Sequence, residues 1–513
     1  MSASRDDSAL PAALDATLDA TLDATLDATL DAALDAALDA DRTRDTGALF
    51  VDLIARYFEQ TGRGDEAVSL ATTYDERRAR FDEPMPRDGR PMADVVARLE
   101  RDVFGGANRL SHPMYMGHQV SAPLPAAIWT EAAIAALNNS MAVSEMSPTA
   151  TAVEERVIRW MCDLAGFGAG SGGTITSGGQ EATHTAMLAA RAALDPDAWA
   201  RGMTGVPPVI VCGEHAHYAI ARAAGELGLG ADNVRAVSSR DWAMDASALE
   251  VMLDQLQAEG RRVMAVVATA GHTATGSFDD LEAIGALCDA RGLWFHVDGA
   301  HGASALFSSV HAHRVRGIER ARTVAWDPHK MMLMPLATGA LIARDERDLT
   351  AAFAQKAPYL FHGAAGARSI DQGTRSFLCS RRADALKVWV ALQRYGASGI
   401  GALYDHLCAL AASLHAMIGA RRDFVALHTP EGNILCFRWT PVGVADDAAL
   451  DALNLALRER YNGSGRGWIT TTVLGGRRVL RVTMMNPRTQ ASHVAELLDG
   501  LAAEGAGLLA SAR

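Results

Sequence analysis

The runs MAVVATA (264–270) and LWFHVD (293–298) decide how this chain folds. Each is continuously apolar rather than alternating, the pattern of a strand buried on both faces. Four more runs read as strands: GTITS (173–177), PVIVC (208–212), TVAWD (323–327) and GALIAR (339–344). Helical patterns such as QEATHTAMLAARAAL (180–194) separate them. This alternation predicts an α/β class domain, a doubly wound and mostly parallel sheet, over about residues 126–395. Upstream, residues 46–125 read as helical (GALFVDLIARYFEQ, MADVVARLERDVF) and end in the irregular stretch SHPMYMGHQVSAPLP. Downstream of the amphipathic RADALKVWVALQRYG, residues 396–513 mix helices with the strands NILCFRW and RRVLRVTMM, which predicts a smaller α+β domain.

A chain of 513 residues, 49% hydrophobic and 21% charged, has the composition of a globular protein with a large core. Its net charge of −13 is mostly local, because residues 1–41 carry ten Asp against one Arg. No basic block suggests nucleic acid. No run of eighteen apolar residues suggests a membrane span, and no leader pattern is evident. The six Cys are scattered without CxxC, so neither a disulfide framework nor a metal site is expected. Reduced thiols in a cytoplasm fit this pattern.

Residues 12–39 repeat A(A/T)LD, with Leu every fourth position from 14 to 38. Four residues advance about 400° on a helix, so successive leucines drift about 40° and form no seam. A coiled coil needs a period of about 3.5. Residues 1–45 are therefore expected to be an extension, helical or disordered, outside the catalytic unit; a docking element is the alternative.

Lysine is nearly absent: Lys330, Lys356 and Lys387 stand in a chain that otherwise uses arginine. A guanidinium stays protonated, whereas a desolvated lysine amine can condense with an aldehyde. Lys330 lies in WDPHKMM (326–332), just after His329 and 32 residues after Asp298 in HVDGAH (296–301). Gly178 and Gly179, in TSGGQEATH, stand between a strand and a helix start, where free backbone N–H groups suit a phosphate. His217 follows PVIVC. All four features fall at the C-terminal ends of candidate strands, where open α/β sheets bind ligands. Together they fit pyridoxal 5'-phosphate: phosphate at Gly178 and Gly179, ring nitrogen at Asp298, aldehyde at Lys330, ring face at His217.

Over roughly residues 50–500 the chain resembles the group II pyridoxal-phosphate amino-acid decarboxylases, which include glutamate, aromatic amino-acid and 2,4-diaminobutyrate enzymes. The matching strings are SEMSPTATAVEERVIRWMCDLAGF, TSGGQEATHTAMLAAR, HAHYAIARAAGELG, ATAGHTATGSFDDL, HVDGAH and WDPHKMM. The resemblance implies a fold-type I transferase fold working as a homodimer on an L-amino acid, releasing carbon dioxide. It implies Lys330 as the Schiff-base lysine, Asp298 at the pyridine nitrogen, and His217 and Ala300 on the two ring faces. Thr269 would lie beside the cofactor, Gly178, Gly179, Gln180 and Asp327 near its phosphate, and His329 beside the imine. Arg481 matches the residue that holds the substrate α-carboxylate in glutamate decarboxylases, and His118 falls where the family contacts substrate side chains. The chain departs from the family at His272, Gly299 and His301. The loop between Tyr359 and Arg381 also lacks the catalytic tyrosine, its candidate positions reading Ile370 and Gln372. An aldehyde-forming reaction, or a class V-like desulfurase, epimerase or aminotransferase, is the alternative.

Overall fold

The computed structural model describes residues 27, 40–87, 89–355, 357, 361 and 369–511. Almost the whole A(A/T)LD repeat, Lys356 and Tyr359 lie outside the described residues. Two compact units are present: Met1–Arg63 with Thr72–Ala107, and Gly64–Ala71 with Asn108–Arg513. In the first, the two expected helical patterns fall in Ala40–Arg63 and in Met92–Arg98, which runs on as a π-helical turn to Phe104. Arg56 holds Glu100 through two hydrogen bonds of 3.2 and 3.0 Å, and Tyr57 meets Phe104 edge-on at 5.2 Å.

In the second unit, seven strands form the large sheet: β1 (Gly172–Thr176), β2 (Val209–Gly213), β3 (Val234–Val237), β6 (Val263–Thr269), β7 (Trp294–Asp298), β8 (Thr323–Trp326) and β9 (Gly339–Ala343). A short hairpin supplies β4 (Ser239–Arg240) and β5 (Ala243–Met244). The sheet order is β1-β9-β8-β7-β6-β2-β3. Strand β9 is antiparallel to both its neighbours, while the β8-β7-β6-β2-β3 pairings are all parallel. All six expected strands are present, each displaced by no more than a residue or two at its ends. Every residue of β1, β2, β7, β8 and β9 is buried, because helices cover both faces. Each fully buried Val, Ile or Leu contributes about 1.5–3 kcal/mol. The helix Gly179–Leu194 packs through Ala182, Ala186, Ala189 and Ala190, small enough for close approach to the sheet.

The helix Ala385–Gly419 is broken at Gly396, whose φ of 68° is left-handed. Beyond it a four-stranded antiparallel sheet of β10 (Phe424–Ala426), β11 (Ile434–Trp439), β12 (Thr470–Leu474) and β13 (Arg477–Thr483) runs in the order β10-β11-β13-β12. Gly475 and Gly476, both with positive φ, make the two-residue β12–β13 turn, a geometry that only such residues adopt cheaply.

Lys387 has no exposed surface and is ion-paired with Glu131 at 2.9 Å and Asp384 at 3.0 Å. It is a structural lysine. A second buried pair, Glu154 with Arg381, is bidentate at 2.6 and 2.8 Å, and Glu154 also accepts the Ile175 N–H of β1. Removing one partner strands the other charge, a loss of about 3–5 kcal/mol. Glu154→Ala should therefore lower the urea midpoint sharply, and Glu154→Gln less so; a midpoint within error of wild type for both would show that the pair does not hold β1 in place.

Candidate active site

Four adjacent strand ends set the geometry. The β6–β7 register pairs Thr269 with Asp298, and the β7–β8 register pairs Asp298 with Ala325, two residues before Asp327. Asp298 is 7% exposed and accepts the Ala300 N–H at 3.2 Å, which fixes its side chain. After β8 the chain turns tightly, with the Lys330 N–H on the Asp327 carbonyl at 2.9 Å. The turn brings Lys330 Nζ to 3.1 Å from Asp327 Oδ2 and His329 Nε2 to 3.4 Å from the same atom. Ser121 Oγ donates to the His329 carbonyl at 3.0 Å, so the irregular stretch before residue 125 clamps this turn.

At the neighbouring end of the sheet, the Gly178–Gly179 loop fits against the same group. A Cβ on Gly179 would stand 2.8 Å from Ala300 Cβ and 3.1 Å from Asp327 Oδ2; one on Gly178 would stand 3.1 Å from His329 Cε1. Glycine is required because the loop backbone takes the space of a side chain. Beneath it, a Cβ on Gly339 would lie 2.5 Å from Gly178 Cα.

His217 lies beyond β2, where its Nδ1 accepts the Ala219 N–H at 3.2 Å. Burial pushes its pKa down, and the charges of Asp298, Lys330 and Asp327 all reach it. Burial likewise holds His329 below the usual imidazole range. Both rings are therefore neutral over most of the physiological range.

Arg481, on β13, is 7% exposed and spends its guanidinium on the carbonyls of Thr273 and Ala274 and on Thr470 Oγ1. Burial lowers its pKa, and no ion pair balances it among the described residues. His118 is exposed; what desolvation it has, then the charges of Arg481 and Arg458, depress its pKa. Its segment is held by Met116 on the Trp468 carbonyl at 2.9 Å and by Tyr115 stacked on Trp468, with centroids 6.4 Å apart.

The sequence reading missed two buried polar pairs. His301, one of the departures, is wholly desolvated, which drives its pKa down to about 3, and pairs with Asn433 Oδ1 at 2.7 Å. His272, another departure, contacts Asp279 Oδ1 at 2.8 Å and the His215 carbonyl at 3.1 Å. Asp279 follows Phe278 in the string GSFDDL and carried no signal of its own. Of the two loop positions, Gln372 is buried and Ile370 is 48% exposed. The chain there is anchored by the Gly373 N–H on the Ala142 carbonyl at 2.8 Å and the Ser144 N–H on Asp371 Oδ1 at 2.9 Å.

Four buried polar atoms around the cradle have no hydrogen-bond partner among the described residues: Asp327 Oδ1, Thr269 Oγ1 and both amide atoms of Gln180. An unsatisfied buried polar group costs about 1–3 kcal/mol. Gln180 follows the glycine pair at a helix start and Asp327 faces Gly179, a setting that fits a polar ligand with a phosphate. The residues present are thus compatible with pyridoxal phosphate.

Comparisons with known proteins point to the same cofactor. Residues 75–440 match the pyridoxal-dependent decarboxylase conserved domain. The chain is 35% identical over 424 residues to the L-2,4-diaminobutyrate decarboxylase of Rhizobium meliloti, covering 82% of this chain and 83% of that protein. It is 32% identical over 391 residues to the cysteine sulfinic acid decarboxylase of Mus musculus, covering 74% and 79%. A crystal structure of mouse CSAD superposes with a TM-score of 0.86 at 28% identity, covering 91% of this chain and 99% of that one.

The cradle yields a direct test. Gly179→Ala should weaken pyridoxal-phosphate binding at least tenfold while leaving far-UV circular dichroism unchanged. Unaltered affinity in a fluorescence titration would show that the cofactor does not enter between Gly179 and Asp327.

Proposed function

Because this chain belongs to the pyridoxal-dependent decarboxylase family, we propose that it releases carbon dioxide from an acidic L-amino acid, with Lys330 as the lysine that anchors the cofactor. Bound pyridoxal phosphate supplies an aldehyde for the amine and a ring that draws electrons from the substrate Cα. The observation that carries the reading is Lys330 Nζ beside Asp327 in a buried glycine-lined cradle.

Asp298 would hold a positive charge at the ring nitrogen; His217 and Ala300 would sandwich the ring; Gly178, Gly179 and Gln180 would take the phosphate, with Asp327 and Thr269 alongside. Holding a cationic ring nitrogen is the natural task of a buried carboxylate that has only one backbone hydrogen bond. Arg481 would hold the substrate α-carboxylate, consistent with a buried guanidinium that has no ion-pair partner among the described residues. His118 and Arg458 would meet the substrate side chain. With Arg481 given to the α-carboxylate, Arg458, whose charge reaches His118 and which has no ion pair among the described residues, favours an acidic side chain over a basic one. Homodimerisation and a cytoplasmic location complete the reading; among the described residues no helix is long and apolar enough to cross a membrane.

Proton return to Cα is the weak step. Ile370 has no proton to give, and the Gln372 amide is far too weak an acid. His217 and His329, both held below the usual imidazole pKa, are unprotonated at neutral pH and are poor donors. Slow protonation leaves an electron-rich centre exposed to dioxygen, which would take two electrons to give aldehyde, ammonia and hydrogen peroxide in place of amine.

Carboxyl-labelled L-aspartate, L-glutamate, cysteine sulfinate and 2,4-diaminobutyrate, offered in air and under argon, separate these outcomes. Release of labelled carbon dioxide should be at least tenfold faster from an acidic substrate, with peroxide detectable only in air. Turnover of 2,4-diaminobutyrate alone would overturn the substrate assignment, and no label release from any amino acid would overturn the reaction. Equal amine yields without peroxide would show that proton delivery is competent.

A further inference from the structure

We infer that His272 is a positioning residue, a buried imidazolium that ties the His217 loop, the Thr269 strand end and Arg481 into one rigid unit. The charge state follows from hydrogen-bond inventory. A backbone carbonyl can only accept, so the His272 Nδ1 facing the His215 carbonyl at 3.1 Å carries a proton. Asp279 Oδ1 receives the Met244 N–H at 2.7 Å, and Oδ2 receives the Thr269 N–H at 2.7 Å. Both carboxyl oxygens are thus engaged as acceptors, which assigns the donor role in the 2.8 Å contact with Oδ1 to His272 Nε2 and gives the ring its second proton. Burial alone would lower the His272 pKa, but the hydrogen bond and charge of Asp279 outweigh it and raise it.

Both groups are almost without exposed surface, so the pair is shielded from water and from salt. Each bond ends on a functional segment. The His215 carbonyl lies two residues before His217. The Thr269 N–H is on the strand end paired with Asp298. The two carbonyls after His272, those of Thr273 and Ala274, receive the Arg481 guanidinium. The backbone between is equally constrained: the His272 N–H donates to the Ser277 carbonyl at 2.8 Å and the Gly276 N–H to the His272 carbonyl at 2.7 Å. A threonine here, the family's usual residue, is too short to span from the His215 carbonyl to Asp279. The longer imidazole supplies the cross-link in this chain.

The inference rests on reading His217 and Arg481 as cofactor and substrate contacts, and its test is built to fail separately from that reading. Compare the wild type with His272→Gln and with His272→Thr, each checked for folding by far-UV circular dichroism. A glutamine can satisfy one of the two partners but cannot donate to both. Apo-protein affinity for pyridoxal phosphate, followed by fluorescence, should fall at least tenfold in both variants, and KM should rise more than kcat falls. Nitrogen-15 spectra should show an imidazolium at pH 7.5 that disappears in His272→Gln. The charged and titratable groups facing this ring are Asp279, Asp298, and His215 with Glu214 beside it. Since the folded His272 pKa is raised, the wild type's thermal advantage over His272→Gln should be full below about pH 6.5 and shrink as pH rises through the folded value. Unchanged cofactor affinity in both variants, or a neutral His272 ring at pH 7.5, would overturn the inference whatever reaction the enzyme performs.

Discussion

The site exists because four parallel strands, β2, β6, β7 and β8, cannot slide against one another. Their side chains are buried on both faces, so a one-residue slip would misplace a whole row of core contacts. That register puts Thr269 level with Asp298 and carries Asp327 and Lys330 just past the same edge. The functional groups sit on short turns leaving rigid elements, which is how a fold holds chemistry to within fractions of an ångström.

Polar groups in the cradle are arranged at a cost. Among the described residues Asp327 Oδ1, Thr269 Oγ1 and the Gln180 amide are buried without hydrogen-bond partners, and Arg481 is buried on two carbonyls and a hydroxyl with no ion pair. Elsewhere buried charges are ion-paired, as Lys387 with Glu131 and Asp384, and Arg381 with Glu154, demonstrate. Arg481, without an ion pair among the described residues, and the open polar atoms of Asp327, Thr269 and Gln180 are groups that a bound cofactor and substrate would satisfy.

Much of this was legible in the sequence, for particular reasons. The strands were readable because burial on both faces writes itself as unbroken apolar runs. Lys330 stood out through scarcity, and its motif carried the family. Scarcity alone would have misled, since Lys387 is equally rare and is spent on buried ion pairs with Glu131 and Asp384. What the sequence hid were partnerships across distance. Glu154 and Arg381 are separated by 227 residues, and His272 reaches back 57 residues to the His215 carbonyl. His272 and His301 were visible as departures from a family pattern, but a departure does not announce its partner. Gln372 could be named as a loop residue lacking an acidic proton, yet its burial depends on Ala142 and Ser144, which no local pattern connects to it.

The central claim is that Lys330, and no other amine, carries the cofactor. The direct measurement is reduction of the purified holoenzyme with borohydride, followed by proteolysis and mass mapping of the pyridoxyl group. The account predicts a single modified peptide containing WDPHKMM, with the added mass on Lys330. Modification of Lys356 or Lys387, or a protein that retains no reducible cofactor at all, would contradict it.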